Sequence, residues 1–124
     1  MPAVITYPAG EGPFPMVVMV HGSGPLDRDE TIGPNHPFRD IALGLARRGV
    51  ASLRYDKRTY AYPASAKAIS IYDETIDDAF TALCMAFADP KADTARIVLL
   101  GHSLGGTLAP LIAARSAAVG GMVV

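Results

Sequence analysis

The chain has 124 residues, half of them hydrophobic and 19% charged, so it has the composition of a folded domain and not of a disordered segment. Its 11 basic and 12 acidic side chains leave a formal charge of -1, which argues against a nucleic-acid or anionic-membrane partner. One cysteine, Cys84, excludes an internal disulfide and offers no metal set, and no apolar run approaches the ~20 residues that cross a bilayer.

The N-terminal residues "MPAVITYPAG" carry no basic start followed by a long apolar stretch, and a cytoplasmic location is the expectation. A weak strand is expected at Val4 to Tyr7. Met16 to Val20, "MVVMV", is a valine-rich run closed by the glycine turn "HGSGP", the pattern of a buried strand. Phe38, Ile41, Ala42 and Leu45 then fall on one helical face. Pro37 suits the first helical position, Gly49 the position past the end, and Arg47 and Arg48 the last turn.

Val50 to Tyr55 reads as a second strand ending at "DKRT", and residues 60–72 as a loop. Ile76, Ala79, Phe80, Leu83, Cys84 and Phe87 mark a helical face, with Thr75 as its N-cap and Asp77 and Asp78 in its first turn. This places Cys84 in the core as a small hydrophobe. Ile97 to Leu100 is a third strand, turning at Gly101 to Gly105 into a helix that runs to about Ala118. Pro110 should kink that helix. Gly120 and Gly121 break it, and "MVV" begins a fourth strand.

Strands alternating with helices predict an α/β fold: a mainly parallel sheet with helices on both faces. The turns "HGSGP", "DKRT" and "GHSLGG" each follow a strand and so share the edge where such sheets bind ligands.

At that edge Gly101, Ser103 and Gly105 form G-x-S-x-G between a strand and a helix. A serine hydroxyl becomes a useful nucleophile when it is exposed, has a base, and faces donors for the developing oxyanion. The sharp turn supplies exposure, and glycines at 101 and 105 let it close. The amide of Leu104, at a helix N-terminus, is one natural oxyanion donor, and that of Ser23 in "HGSG" the other. His21 is expected to brace its loop through a backbone hydrogen bond. His102 should point away from Ser103. His36, at a helix start on the same edge, is the substitute base within the chain, although a capping or solvent-exposed residue is the plainer reading. Asp27, Arg28, Asp29, Glu30, Asp56, Lys57 and Arg58 are expected to pair as ions between two loops.

The stretches "HGSGPLDRDETIGPNHPFRDIALGLARRGVASLRYDKRT" and "ARIVLLGHSLGG" resemble the α/β-hydrolase superfamily, in particular its bacterial esterase and dienelactone-hydrolase-like members, from about Thr6 to Val124. The resemblance implies ester hydrolysis through an acyl-enzyme on Ser103, with Ser23 and Leu104 as oxyanion positions, a small-molecule ester as substrate, and no cofactor. It also implies an acid and a histidine after the nucleophile. No histidine follows His102, so residues 1–124 are expected to form one partial domain, the nucleophile-bearing half of a truncated hydrolase fold. Self-association through an apolar sheet edge at "MVV" is expected. A non-catalytic oligomeric or binding module that keeps the turn as a folding element is the alternative.

Overall fold

The computed structural model describes residues 1–63, 70–116 and 118–124. Its chain order is β1 (Ala3–Thr6), β2 (Phe14–Val20), α1 (Pro37–Ala46), β3 (Ala51–Tyr55), α2 (Arg58–Ala61), α3 (Ile71–Ala88), β4 (Ala92–Gly101), α4 (Leu104–Arg115) and β5 (Gly121–Val123). The sheet order is β1-β3-β2-β4-β5. β2 pairs parallel with β3 and β4, β4 parallel with β5, and β1 runs antiparallel to β3.

β2 reads as an unbroken apolar run because both of its faces are covered. Met16, Val18 and Val20 point to one side, into a core with Leu53, Ile97 and Leu99 of the neighbouring strands and Ile76, Leu83, Leu108 and Ile112 of α3 and α4. Val17 and Met19 point to the other side, against Phe38 and Ala42 of α1. The two-residue alternation of a strand thus sorts the sequence into two cores. Each fully buried aliphatic side chain contributes about 1.5–3 kcal/mol, so the central strand anchors the sheet. Among the described residues no helix is long and apolar enough to cross a membrane.

The helix boundaries differ from expectation in physically readable ways. α3 begins at Ile71, so Thr75 is not its cap but a buried residue inside it. Ser70 is the cap, its hydroxyl oxygen accepting from the Asp73 N–H at 3.0 Å, and Asp73 and Glu74 occupy the first turn in place of Asp77 and Asp78. The loop expected at residues 60–72 is therefore helical at both ends, and its middle, 64–69, lies outside the described residues. Cys84 is exposed, because Ala79, Ala82, Leu83 and Ala86 form the buried stripe of α3 and leave position 84 beside it. α1 stops at Ala46, with Arg47 capping it and Arg48 beyond; Gly49 then turns the chain at φ 83°. α4 ends at Arg115, short of Ala118, where Ser116 adopts an extended backbone.

From β2 the chain crosses by α1 to β3 on one side, and from β4 it crosses by α4 to β5 on the other. The connections diverge between β2 and β4, which creates a crevice at their carboxyl ends. The "HGSG" and "GHSLGG" turns leave from those two ends.

Candidate active site

Ser103 stands between β4 and α4 at φ 54° and ψ -116°, a backbone strained for any residue with a side chain. Two close approaches impose that bend. A β-carbon on Gly101 would lie 2.5 Å from the Gly105 carbonyl carbon and 2.6 Å from the Gly106 nitrogen. One on Gly105 would collide with the carbonyl oxygens of Val20 and His21. The N-terminus of α4 is thus seated on the end of β2, and the backbone hydrogen bond from His102 N–H to Val20 O, 3.1 Å, fixes the approach.

The serine side chain is exposed, in an open hollow of ≈ 450 Å³ whose described lining is Ser23, Tyr72, Ser103, Leu104 and Thr107. Ser23 and Leu104, which the sequence pairs with Ser103, are therefore beside it. Leu104 is the first residue of α4, where no intrahelical carbonyl can accept from its N–H. The "HGSG" turn is pressed against the bend: a β-carbon at Gly22 would lie 3.2 Å from Ser103 Cβ and 3.5 Å from His102 O.

Around this turn the charged loops interlock. Arg28 meets Asp56 through its backbone N–H at 2.7 Å and its guanidinium at 3.1 Å, while Asp29 pairs with Arg54 of β3. Arg58 binds Asp78 of α3, at 2.7 Å from Nη2 to Oδ1. Arg28–Asp56 is the ion pair expected between the two loops; the other two reach a strand and a helix instead.

His21 braces its loop as expected. It is buried between Phe38 and the edge of Tyr55, and its Nε2–H donates to the Asp27 carbonyl at 2.7 Å. Burial, reinforced by the nearby Lys57 charge, pushes its pKa down to about 4 against the pull of Asp27 and Asp56, so the ring is neutral at pH 7. His36 is half-buried before the first residue of α1, with Nδ1 2.9 Å from Thr31 Oγ1. It caps no helix amide with its side chain, and it is not among the described residues lining the hollow at Ser103.

Two residues that the sequence marks only as loop charges turn out to be buried against this turn. Glu30 is wholly buried at φ 51°; its Oε1 accepts from Gly22 N–H at 2.8 Å, and its Oε2 lies 2.9 Å from His102 Nδ1. The second is a close approach without hydrogen-bond geometry. Lys57, also wholly buried, donates from Nζ to Gly22 O at 2.9 Å. The only signal for either was the charge cluster itself, which carries no information about burial.

Residues 17–124 match the model of the alpha/beta hydrolase family. The chain belongs to that family. Esterase EstD of Thermotoga maritima is 49% identical to this chain over 120 residues, 97% of the chain but 29% of EstD. The chain therefore spans less than a third of the length of that relative. Two solved structures superpose on it. The structure of DcsB in complex with its substrate analogue gives a TM-score of 0.74 at 23% identity, over 93% of this chain and 36% of that one. Brefeldin A esterase, a bacterial homologue of human hormone-sensitive lipase, gives 0.70 at 24% identity, over 97% and 34%. At these identities the two superpositions bear on the fold. The fold expected from the sequence, a mainly parallel sheet covered by helices on both faces, is the fold observed.

Proposed function

We propose that this hydrolase acts on carboxylic esters through an acyl-enzyme on Ser103. In the proposed reaction Ser103 Oγ attacks the ester carbonyl carbon as its proton passes to a base. The carbonyl π electrons move onto oxygen, and that oxyanion is held by the amides of Ser23 and Leu104. Collapse expels the alcohol with a proton returned by the base; water then attacks the acyl-serine by the same route and releases the acid. The observation that carries this reading is the exposed, strained Ser103 sharing one hollow with Ser23 and Leu104. The 49% identity to a protein named an esterase supports the ester substrate.

The base is the open position in this reading. His36 is the candidate within these residues, but its Nδ1 is engaged by Thr31 and it is not among the described residues that line the hollow. We therefore place the base on another segment or chain brought to the crevice, with residues 1–124 forming one part of the hydrolase domain. The β5 edge, with Met122 and Val123 exposed, is the proposed surface for association with a second copy. Light scattering tests it, and a monomer at all concentrations would refute it.

Turnover of a short p-nitrophenyl ester by the intact protein tests the function. Activity abolished in Ser103→Ala and retained in His36→Ala is the expected pattern. Loss in both would move the base to His36. No turnover in the folded parent protein would favour a non-catalytic module.

A further inference from the structure

The peptide group between Gly22 and Ser23 is gripped from the interior. Lys57 Nζ donates to its carbonyl oxygen at 2.9 Å. The preceding peptide is held as well, because Gly22 N–H donates to Glu30 Oε1 at 2.8 Å. The Lys57 backbone joins the same loop further on, its N–H donating to Leu26 O at 3.1 Å. Both Glu30 and the Lys57 ammonium are buried.

The peptide plane turns this grip into a statement about Ser23. Among the described residues the one cis peptide is Gly12–Pro13, so Gly22–Ser23 is trans. In a trans peptide the C=O and the following N–H point in opposite directions. A carbonyl drawn inward to Lys57 therefore turns the Ser23 N–H outward, and Ser23 lines the hollow that contains Ser103. A cation on the carbonyl also draws electron density through the amide, which makes its N–H a stronger donor.

Packing alone does not account for a lysine here. A methionine fills a similar volume without a desolvation cost, and replacing buried ions by well-packed hydrocarbon is often neutral or stabilising. The ammonium is faced by Glu74 and Asp78 from α3 and by Glu30 from the loop, with Glu74 Oε1 at 3.9 Å. Glu74 is itself fixed, its Oε2 accepting from Thr59 N–H at 2.6 Å.

We propose that Lys57 is a positioning residue that aims the Ser23 amide at the oxyanion of the reaction, acting through the Gly22 carbonyl, with Glu30 as the second arm of the clamp. The proposal rests on the reading of Ser103 and Ser23 given above. It assigns to a buried side chain two loops away a part of the transition-state stabilisation.

The test uses the intact protein with Lys57→Met, and with Lys57→Met/Glu74→Gln, which also removes the carboxylate charge that the lost ammonium had faced. Circular dichroism selects the variant that folds. The readouts are kcat and KM for p-nitrophenyl acetate, and the affinity for phenylboronic acid, whose adduct with a serine oxygen is a tetrahedral anion. The expected result is a fall in kcat of about 10²-fold with KM unchanged, and a parallel loss of boronate affinity. A folded variant with parental kcat and boronate affinity, or one altered only in KM, overturns the proposal. Ser103→Ala separates the two readings. If it retains turnover, the site itself is misassigned and the Lys57 role falls with it. If it abolishes turnover while the Lys57 variants stay active, only the role of Lys57 is lost.

Discussion

Gly105 stands directly against Val20: there is no room for a β-carbon between the first turn of α4 and the carbonyl end of β2. The contact sets the height at which Ser103 leaves the sheet, since Ser103 is two residues upstream and Gly101 closes the bend from the other side. Gly105→Ala must push α4 outward. A loss of about 2–3 kcal/mol in the unfolding free energy is expected, read from the denaturant midpoint. Gly44, inside α1, is the internal control. A β-carbon there would meet nothing nearer than Arg48 Nη1 at 3.9 Å, so Gly44→Ala should be stabilising by about 0.5–1 kcal/mol.

Glu30 offers a second contrast. Glu30→Ala leaves Gly22 N–H buried without its acceptor and should cost about 1–3 kcal/mol. Glu30→Gln keeps an oxygen for that N–H and should lose less. Thermal unfolding of both variants side by side checks the order; equal losses would mean that the carboxylate charge, not the acceptor, is what Gly22 requires.

His21 predicts a pH dependence of stability. Its pKa is 6.5 when unfolded and about 4 when folded, so between these values the unfolded chain binds the extra proton. Stability therefore falls as pH drops below about 6.5, and the loss is complete near pH 4, at roughly 3 kcal/mol. His21→Gln retains a side-chain N–H for the Asp27 carbonyl and does not titrate. Urea unfolding from pH 7.5 to 4 should show a shallower decline for the variant than for the parent, and parallel curves would contradict the account.

Tyr72 lines the hollow from the first turn of α3 and is exposed. On the proposed ester reading, its ring is one wall of the space that receives the substrate. Tyr72→Ala should raise KM several-fold, about 1 kcal/mol of binding, with little change in kcat. Steady-state kinetics over a series of acyl chain lengths would show the effect growing with chain length.

The order of strands and helices, the shared edge of the three turns and the exposed bend at Ser103 were legible because they rest on local periodicity and on glycine. The start of α3 was not, although Ser70 followed three residues later by Asp73 is a capping pattern; the apolar periodicity is clear only from Ile76 onward and drew the boundary to Thr75. Cys84 shows the same weakness, since an alanine-rich stripe carries the burial while larger residues mark the apparent face. The clamp on Gly22 was illegible for a different reason. Lys57 and Glu30 lie 35 and 8 residues from Gly22 along the chain, and their charges look like those of any solvated loop until the sheet brings β2 and β3 together.

The measurement that bears most directly on the site is covalent trapping. The intact protein is treated with a fluorophosphonate, which reacts with activated serines, and the adduct is located by peptide mass spectrometry. A single modification on the peptide containing Ser103, absent in Ser103→Ala, is the predicted result. A folded protein that takes up no label, or labels equally well after Ser103→Ala, would contradict it.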